Sequence, residues 1–151
     1  VTEKFNTLRE LGFFSQFSDV ELWEVLRISE WRKVHKDERI ISEGEAGQEF
    51  FIIAGGAVKV LKDGRLLSVL HKGDCFGEMA HLSGQEFVRT TDVVAKDETI
   101  LIKVRPALLA QASTGCRYQF SEAFLRMLVK RLAVANTRIS HLLNDQEGKG
   151  G

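Results

Sequence analysis

Cysteine is scarce in this chain: Cys75 and Cys116 are the only two among 151 residues. Two thiols are too few for a disulfide framework or a cysteine-rich zinc site, so a reducing, cytoplasmic setting is expected. An excess of one charge is also missing. Lys+Arg and Asp+Glu each total 21, which argues against a dedicated nucleic-acid surface. No apolar run approaches the roughly 20 residues that cross a bilayer, and no charged segment leads an apolar stretch into a cleavage site. The four histidines, His35, His71, His81 and His141, are scattered. None stands in a Gly-x-Ser-x-Gly frame or in a His-x-His pair followed by Glu, so neither nucleophilic catalysis nor a barrel-type metal centre is indicated. No enzymatic activity, no metal and no cofactor are expected.

What is present is the composition of one ordinary globular domain, with 44% hydrophobic and 28% charged residues. The chain opens on Val1 and closes on Gly148-Lys149-Gly150-Gly151, the pattern expected of a segment of a larger protein. Glycine and the single proline divide it in three. In residues 1–29, Phe5, Leu8 and Leu11, then Phe17, Val20, Leu22, Trp23 and Leu26, recur at helical spacing and predict two short helices. Ser18 with Glu21 three residues on reads as a capping box. From 30 to 105, β-rich runs (50–53, 58–61, 66–70, 93–95, 100–104) alternate with glycines and predict a small sandwich or barrel. Asp63-Gly64 between two such runs predicts a tight hairpin, because a type I′ turn takes positive φ at both central residues.

Residues 106–143 read as helical. Pro106 is placed to open a short helix over 107–112, which Ser113-Thr114-Gly115 should end. Phe120, Phe124, Leu128, Leu132, Ala135, Ile139 and Leu142 then form an apolar stripe along a helix of about 25 residues, roughly 37 Å long. Such a helix lies across the barrel, pairs with a second copy of itself, or does both. Residues 144–151 read as a flexible tail. Arg126, Lys130, Arg131 and Arg138 along the helix read as a solvated face or as contacts to a further domain.

The chemistry concentrates between 74 and 91. Gly77 permits close backbone approach, and Glu78 to Leu82 suits one short helical turn whose first N–H groups favour an anion. Arg89, eleven residues after Glu78, could return its guanidinium to the same place and hold a phosphate through two parallel hydrogen bonds. Glu78 then needs a donor such as a sugar hydroxyl, a combination that suits ribose joined to phosphate. Taken by themselves, Glu78 and Arg89 could instead pair with each other in a loop. His71 beside Gly73-Asp74 reads as a turn residue.

Here the sequence resembles the cyclic nucleotide-binding domain family, which includes the sensor half of bacterial catabolite activator proteins and the regulatory domains of cyclic-nucleotide-dependent kinases and channels. Phe76-Gly77-Glu78-Met79-Ala80 followed by Arg89-Thr90-Thr91 is similar to the family's phosphate-binding cassette. Ile41 to Ile53 followed by Gly56-Ala57-Val58 is similar to its glycine-rich strand–turn–strand signature. The resemblance implies a mainly β, α+β fold: an eight-stranded antiparallel, jelly-roll-like β-roll with N-terminal helices and a short plus a long C-terminal helix. It implies that Arg89 neutralises a cyclic phosphate, that Glu78 accepts from the ribose 2′-hydroxyl, and that Gly77, Met79, Ala80, Thr90 and Thr91 complete the cassette. Thr90 is compatible with either purine.

Residues 128–136 are similar to the adenine-contacting stretch of the catabolite activator helix, which places Asn136 at the base or, alternatively, in the helix seam as a polar break. Thr91 stands where the family has Ala, and His81 where an aliphatic residue is common. His81 reads as a surface or half-buried side chain rather than a heme ligand. The expected function is that of a non-catalytic sensor of cyclic AMP or cyclic GMP, with cyclic AMP favoured, signalling through the long helix to an output domain outside this chain. A homodimer through that helix is expected, with no DNA binding by this segment. The alternative is a degenerate module that dimerises without binding nucleotide.

Overall fold

A computed structural model describes residues 2–83 and 87–149. Helices α1 (Thr2–Glu10) and α2 (Asp19–Ile28) flank a 3₁₀ turn over Gly12–Phe14. The α2 capping box forms as expected: Ser18 Oγ accepts the Glu21 N–H at 3.2 Å, and the Glu21 carboxylate accepts the Ser18 N–H at 2.8 Å. The strands are β1 (Ser29–Val34), β2 (Arg39–Ile41), β3 (Phe50–Gly55), β4 (Ala57–Lys62), β5 (Arg65–His71), β6 (Cys75–Phe76), β7 (Asp92–Ala95) and β8 (Thr99–Val104). A five-residue helix α3 (Glu78–Leu82) sits between β6 and β7, and α4 (Pro106–Leu109) and α5 (Thr114–Lys149) close the chain.

The strands form two antiparallel four-stranded sheets, ordered β1-β8-β3-β6 and β2-β7-β4-β5. This is the eight-stranded β-roll with flanking helices. The β4–β5 hairpin turns on Asp63 and Gly64 with φ of 51° and 76°, the left-handed pair a type I′ turn requires.

Strand β3 explains the layering. Its run Phe50-Phe51-Ile52-Ile53-Ala54 is apolar on both faces, and both faces are buried. Phe50, Ile52 and Ala54 face the helices, joining Leu8, Phe14, Phe17, Leu22, Phe120 and Phe124 in an aromatic-rich core. Phe51 and Ile53 face the second sheet, joining Val34, Val58, Phe76, Val93 and Leu101 in a smaller core. One strand is therefore the shared wall of two hydrophobic interiors.

Three boundaries differ from expectation. Helix α4 spans Pro106–Leu109 rather than 107–112. Ser113 does not simply end it but caps α5: its Oγ accepts the Cys116 N–H at 3.1 Å, while its N–H and hydroxyl donate to the Glu24 carboxylate at 3.0 and 2.6 Å. Those two bonds hold Glu24 below the usual carboxylate pKa. Helix α5 thus begins at Thr114 and runs on to Lys149, 36 residues instead of about 25. The expected tail from 144 is helical through Lys149, because Asp145-Gln146-Glu147 offers no proline or glycine to stop it before Gly148.

Candidate functional site

The two sheets, α3 and α5 enclose a cavity of about 710 Å³. One end is the turn from β6 into α3. Gly77 opens α3 at φ 81°, and a Cβ there would lie 3.1 Å from both Arg89 Nη1 and the Glu49 carbonyl, so only glycine fits without displacement. Glu78 is only 6% exposed and Ala80 is buried, while Met79 is exposed at the rim. All four line the cavity, as do Arg89, Thr90 and Thr91. Seven of the eight expected site residues are therefore brought together.

Arg89 is 7% exposed. Its backbone is stitched to the 44–47 loop by the Arg89 N–H donating to the Glu45 carbonyl and the Gly44 N–H donating to the Arg89 carbonyl, each at 2.8 Å. Its Nη1 donates to the Gly77 carbonyl at 3.1 Å and its Nη2 to the Glu49 carbonyl at 2.6 Å. Burial draws its pKa below the usual guanidinium value, against the pull of the Glu49 and Glu78 carboxylates. A buried cation held by neutral carbonyls keeps a net charge that an anionic group would stabilise.

The possible Glu78–Arg89 ion pair is not the arrangement found. Glu78 Oε1 instead accepts from Arg131 Nη1 of α5 at 2.6 Å, and Arg131 Nη2 also donates to the Cys75 carbonyl. Arg131 is the residue sequence reasoning missed, having been grouped with the solvated basic face of the helix. Its partner lies 53 positions away, a separation no local pattern reveals.

Asn136 does not line the cavity. The α5 residues that do are Lys130, Arg131, Val134, Ala135, Arg138 and Ile139. Asn136 is exposed, on the same side of the helix as the exposed Val129, Leu132 and Leu143, none of which lines the cavity. It therefore lies outside the cavity lining, on the exposed side of α5. His81 is half-buried, its ring 5.1 Å from Phe50 and 5.6 Å from Phe124, and burial pulls its pKa below the usual imidazole range. His71 ends β5 in the expected turn, its carbonyl accepting the Asp74 N–H at 2.9 Å. Among the described residues no cluster of three His, Cys, Asp or Glu side chains is arranged to hold a metal, and no helix is long and apolar enough to cross a membrane.

Comparison with known proteins adds the relatives. The family model for the cyclic nucleotide-binding domain matches residues 31–113. The chain is 35% identical over 95 residues to a cAMP-dependent protein kinase regulatory subunit of Debaryomyces hansenii, covering 62% of this chain and 21% of that protein. It is 32% identical over 101 residues to human cGMP-dependent protein kinase 2, covering 63% of this chain and 13% of that protein. It therefore spans a small part of the length of these relatives. Among solved structures, a cyclic nucleotide-binding domain from Methylobacillus flagellatus shares the fold with a TM-score of 0.77 at 20% identity, over 91% of this chain and 81% of that one. The Thermus thermophilus catabolite activator protein does so with a TM-score of 0.68 at 24% identity, over 86% and 62%.

Proposed function

The chain belongs to the cyclic nucleotide-binding domain family, and from that premise we propose that it is a non-catalytic sensor whose cavity takes a cyclic purine mononucleotide. The observation that carries the reading is the pairing, at one end of the cavity, of a buried guanidinium held by carbonyls with a buried carboxylate tied to α5. A cyclic phosphate would take Arg89 away from the Gly77 and Glu49 carbonyls and gain a two-pronged, charge-assisted contact. A ribose 2′-hydroxyl would donate to Glu78. Gly77, Met79, Ala80, Thr90 and Thr91 would shape the remainder of the cassette.

Because Glu78 is also the partner of Arg131, a hydroxyl arriving there changes the hold on α5. That is the differential interaction a ligand needs if it is to shift a two-state equilibrium. The exposed stripe of Val129, Leu132 and Leu143, interrupted by Asn136, would pair with its copy in a homodimer, the Asn fixing register. Signal would then pass along α5 to whatever the longer protein carries. Cys75 and Cys116 are buried free thiols, the latter pushed up to about 12 by burial, which suits a reducing cytoplasmic setting.

The test is calorimetric titration of nucleotide-stripped protein with cyclic AMP and cyclic GMP. Truncating one partner of a buried, hydrogen-bonded charge contact costs about 2–5 kcal/mol, so Arg89→Ala should weaken binding at least roughly tenfold. Glu78→Ala should weaken a ribonucleotide while leaving its 2′-deoxy analogue nearly unaffected. Binding of neither nucleotide by the unaltered protein would favour the alternative, a dimerisation module with a silent pocket.

A further inference from the structure

We propose that Arg138 is the residue that reads the base, and that it selects guanine over adenine; this rests on the cyclic-nucleotide reading of the cavity. Arg138 lines the cavity, whereas Asn136, the residue expected at the base, does not. Arg131 and Arg138 are seven positions apart on one continuous helix, so they share a face two turns apart, about 10.5 Å along the axis. Helical side chains lean alike toward the N-terminus, which preserves that offset at the guanidinium groups. With Arg131 fixed on Glu78, Arg138 stands beyond the ribose end of the site by a distance of the order of a nucleoside's length.

The wall between them is apolar. On α5, Val134 and Ala135 lie one turn past Arg131, and across the cavity stand Val60, Leu70 and Val93. A flat purine fits between such walls with its polar edge directed outward. At that end the cavity offers the Arg138 guanidinium, which forms no hydrogen bond or ion pair with any described residue. A guanidinium has donors only. Guanine presents two adjacent acceptors, O6 and N7, and a bidentate arginine matches both. Adenine puts its N6 amino donors where O6 would be, so one prong of the fork would face another donor. Lys130 also lines the cavity, but it precedes Arg131 and stands on the flank of the helix rather than in line with Arg138. On this assignment cyclic GMP binds more tightly than cyclic AMP, the reverse of the sequence-based expectation.

Titrations of the unaltered chain with cyclic GMP, cyclic AMP and cyclic IMP test this, beside Arg138→Ala, Arg138→Gln and Arg89→Ala. One good bidentate base contact discriminates by roughly 5- to 150-fold, so cyclic GMP should bind tighter than cyclic AMP by a factor in that range. Cyclic IMP keeps O6 and N7 but lacks the 2-amino group, and it should follow cyclic GMP. Arg138→Ala should erase the preference by weakening cyclic GMP and cyclic IMP. Arg138→Gln, whose amide both donates and accepts, should move the ratio toward cyclic AMP. Cyclic AMP binding as tightly as cyclic GMP, or a preference that survives Arg138→Ala, overturns the assignment of Arg138 while leaving the nucleotide site standing. Cyclic IMP behaving like cyclic AMP assigns base reading to a group facing the 2-amino position and also overturns it. If no cyclic nucleotide binds the unaltered chain, or Arg89→Ala binds all three unchanged, the reading of the cavity fails and this inference with it.

Discussion

The two halves of α5 are one uninterrupted helix held in place by different physics. In the first half Phe120 and Phe124 are 1% and 2% exposed, ringed by Phe13, Phe14, Phe17 and Phe50 at centroid distances of 4.9 to 6.1 Å. In the second half Leu132 and Leu142 are 63% and 64% exposed. Among the described residues, the side-chain hydrogen bonds that join that half to the β-roll are those of Arg131 to Glu78 and the Cys75 carbonyl. Apolar burial is indifferent to what occupies the cavity. A hydrogen bond to Glu78, the carboxylate proposed to meet the ribose, is not. The contrast shows how a rigid element can have one end fixed and the other end answerable to the site.

Substitutions on either side should break the helix's behaviour differently. Phe124→Ala removes a buried ring from the aromatic core and should cost about 3–5 kcal/mol, read as a lowered denaturant midpoint with an unchanged slope. Arg131→Ala leaves the buried Glu78 carboxylate without this partner and should lower stability by about 1–3 kcal/mol, less than Phe124→Ala because the arginine itself is partly solvated. Its signature is local: backbone amides beyond 132 should exchange faster while those of 116–127 keep their protection. Equal acceleration in both halves would show that the second half is not separately tethered.

His81 sits at the junction, packed on Phe50 of β3 and Phe124 of α5. Its folded-state pKa is depressed by burial below 6.5, so between the unfolded and folded values the unfolded chain binds more protons. Stability should therefore be unaffected well above pH 6.5 and should fall as the pH drops from there through the folded pKa. His81→Leu should flatten that part of the acid profile in thermal melts; a profile that keeps its slope would clear His81 of the effect. The smallest change is expected from Leu143→Ala at concentrations where the chain is monomeric, within about 0.5 kcal/mol, because the side chain is already in water. At higher concentration the same substitution should weaken self-association measured by sedimentation.

The parts of the fold legible in the sequence were those with short-range causes. The runs that became β3, β4, β5, β7 and β8 carry β-rich composition between glycines, and the Asp63-Gly64 turn and the Ser18–Glu21 box each encode a specific backbone geometry. Strands β2 and β6, of three and two residues, carry too little pattern to be seen and exist because neighbouring strands pair with them. Within the site, Gly77, Glu78 and Arg89 were legible because they share one short stretch of chain. Arg131 was not, since its role depends on α5 folding back across the β-roll. Asn136 was read either at the base or in the helix seam; helix phase turns it outward, one residue past the cavity-lining Ala135. A one-residue error along a helix is a rotation of about 100°, enough to exchange a wall of the cavity for solvent.

The stitching of Arg89 to the loop at 44–47 bears on how much change in chain length the site can absorb. Ala46 and Val88 form a bridge, and the two backbone bonds beside it locate Arg89 from the far side of the cassette. Its position is consequently independent of how many residues separate Leu82 from Val88. Variants with residues added between Leu82 and Val88 should therefore keep Arg89 anchored and the fold stable, a tolerance that thermal melts of such insertions would read.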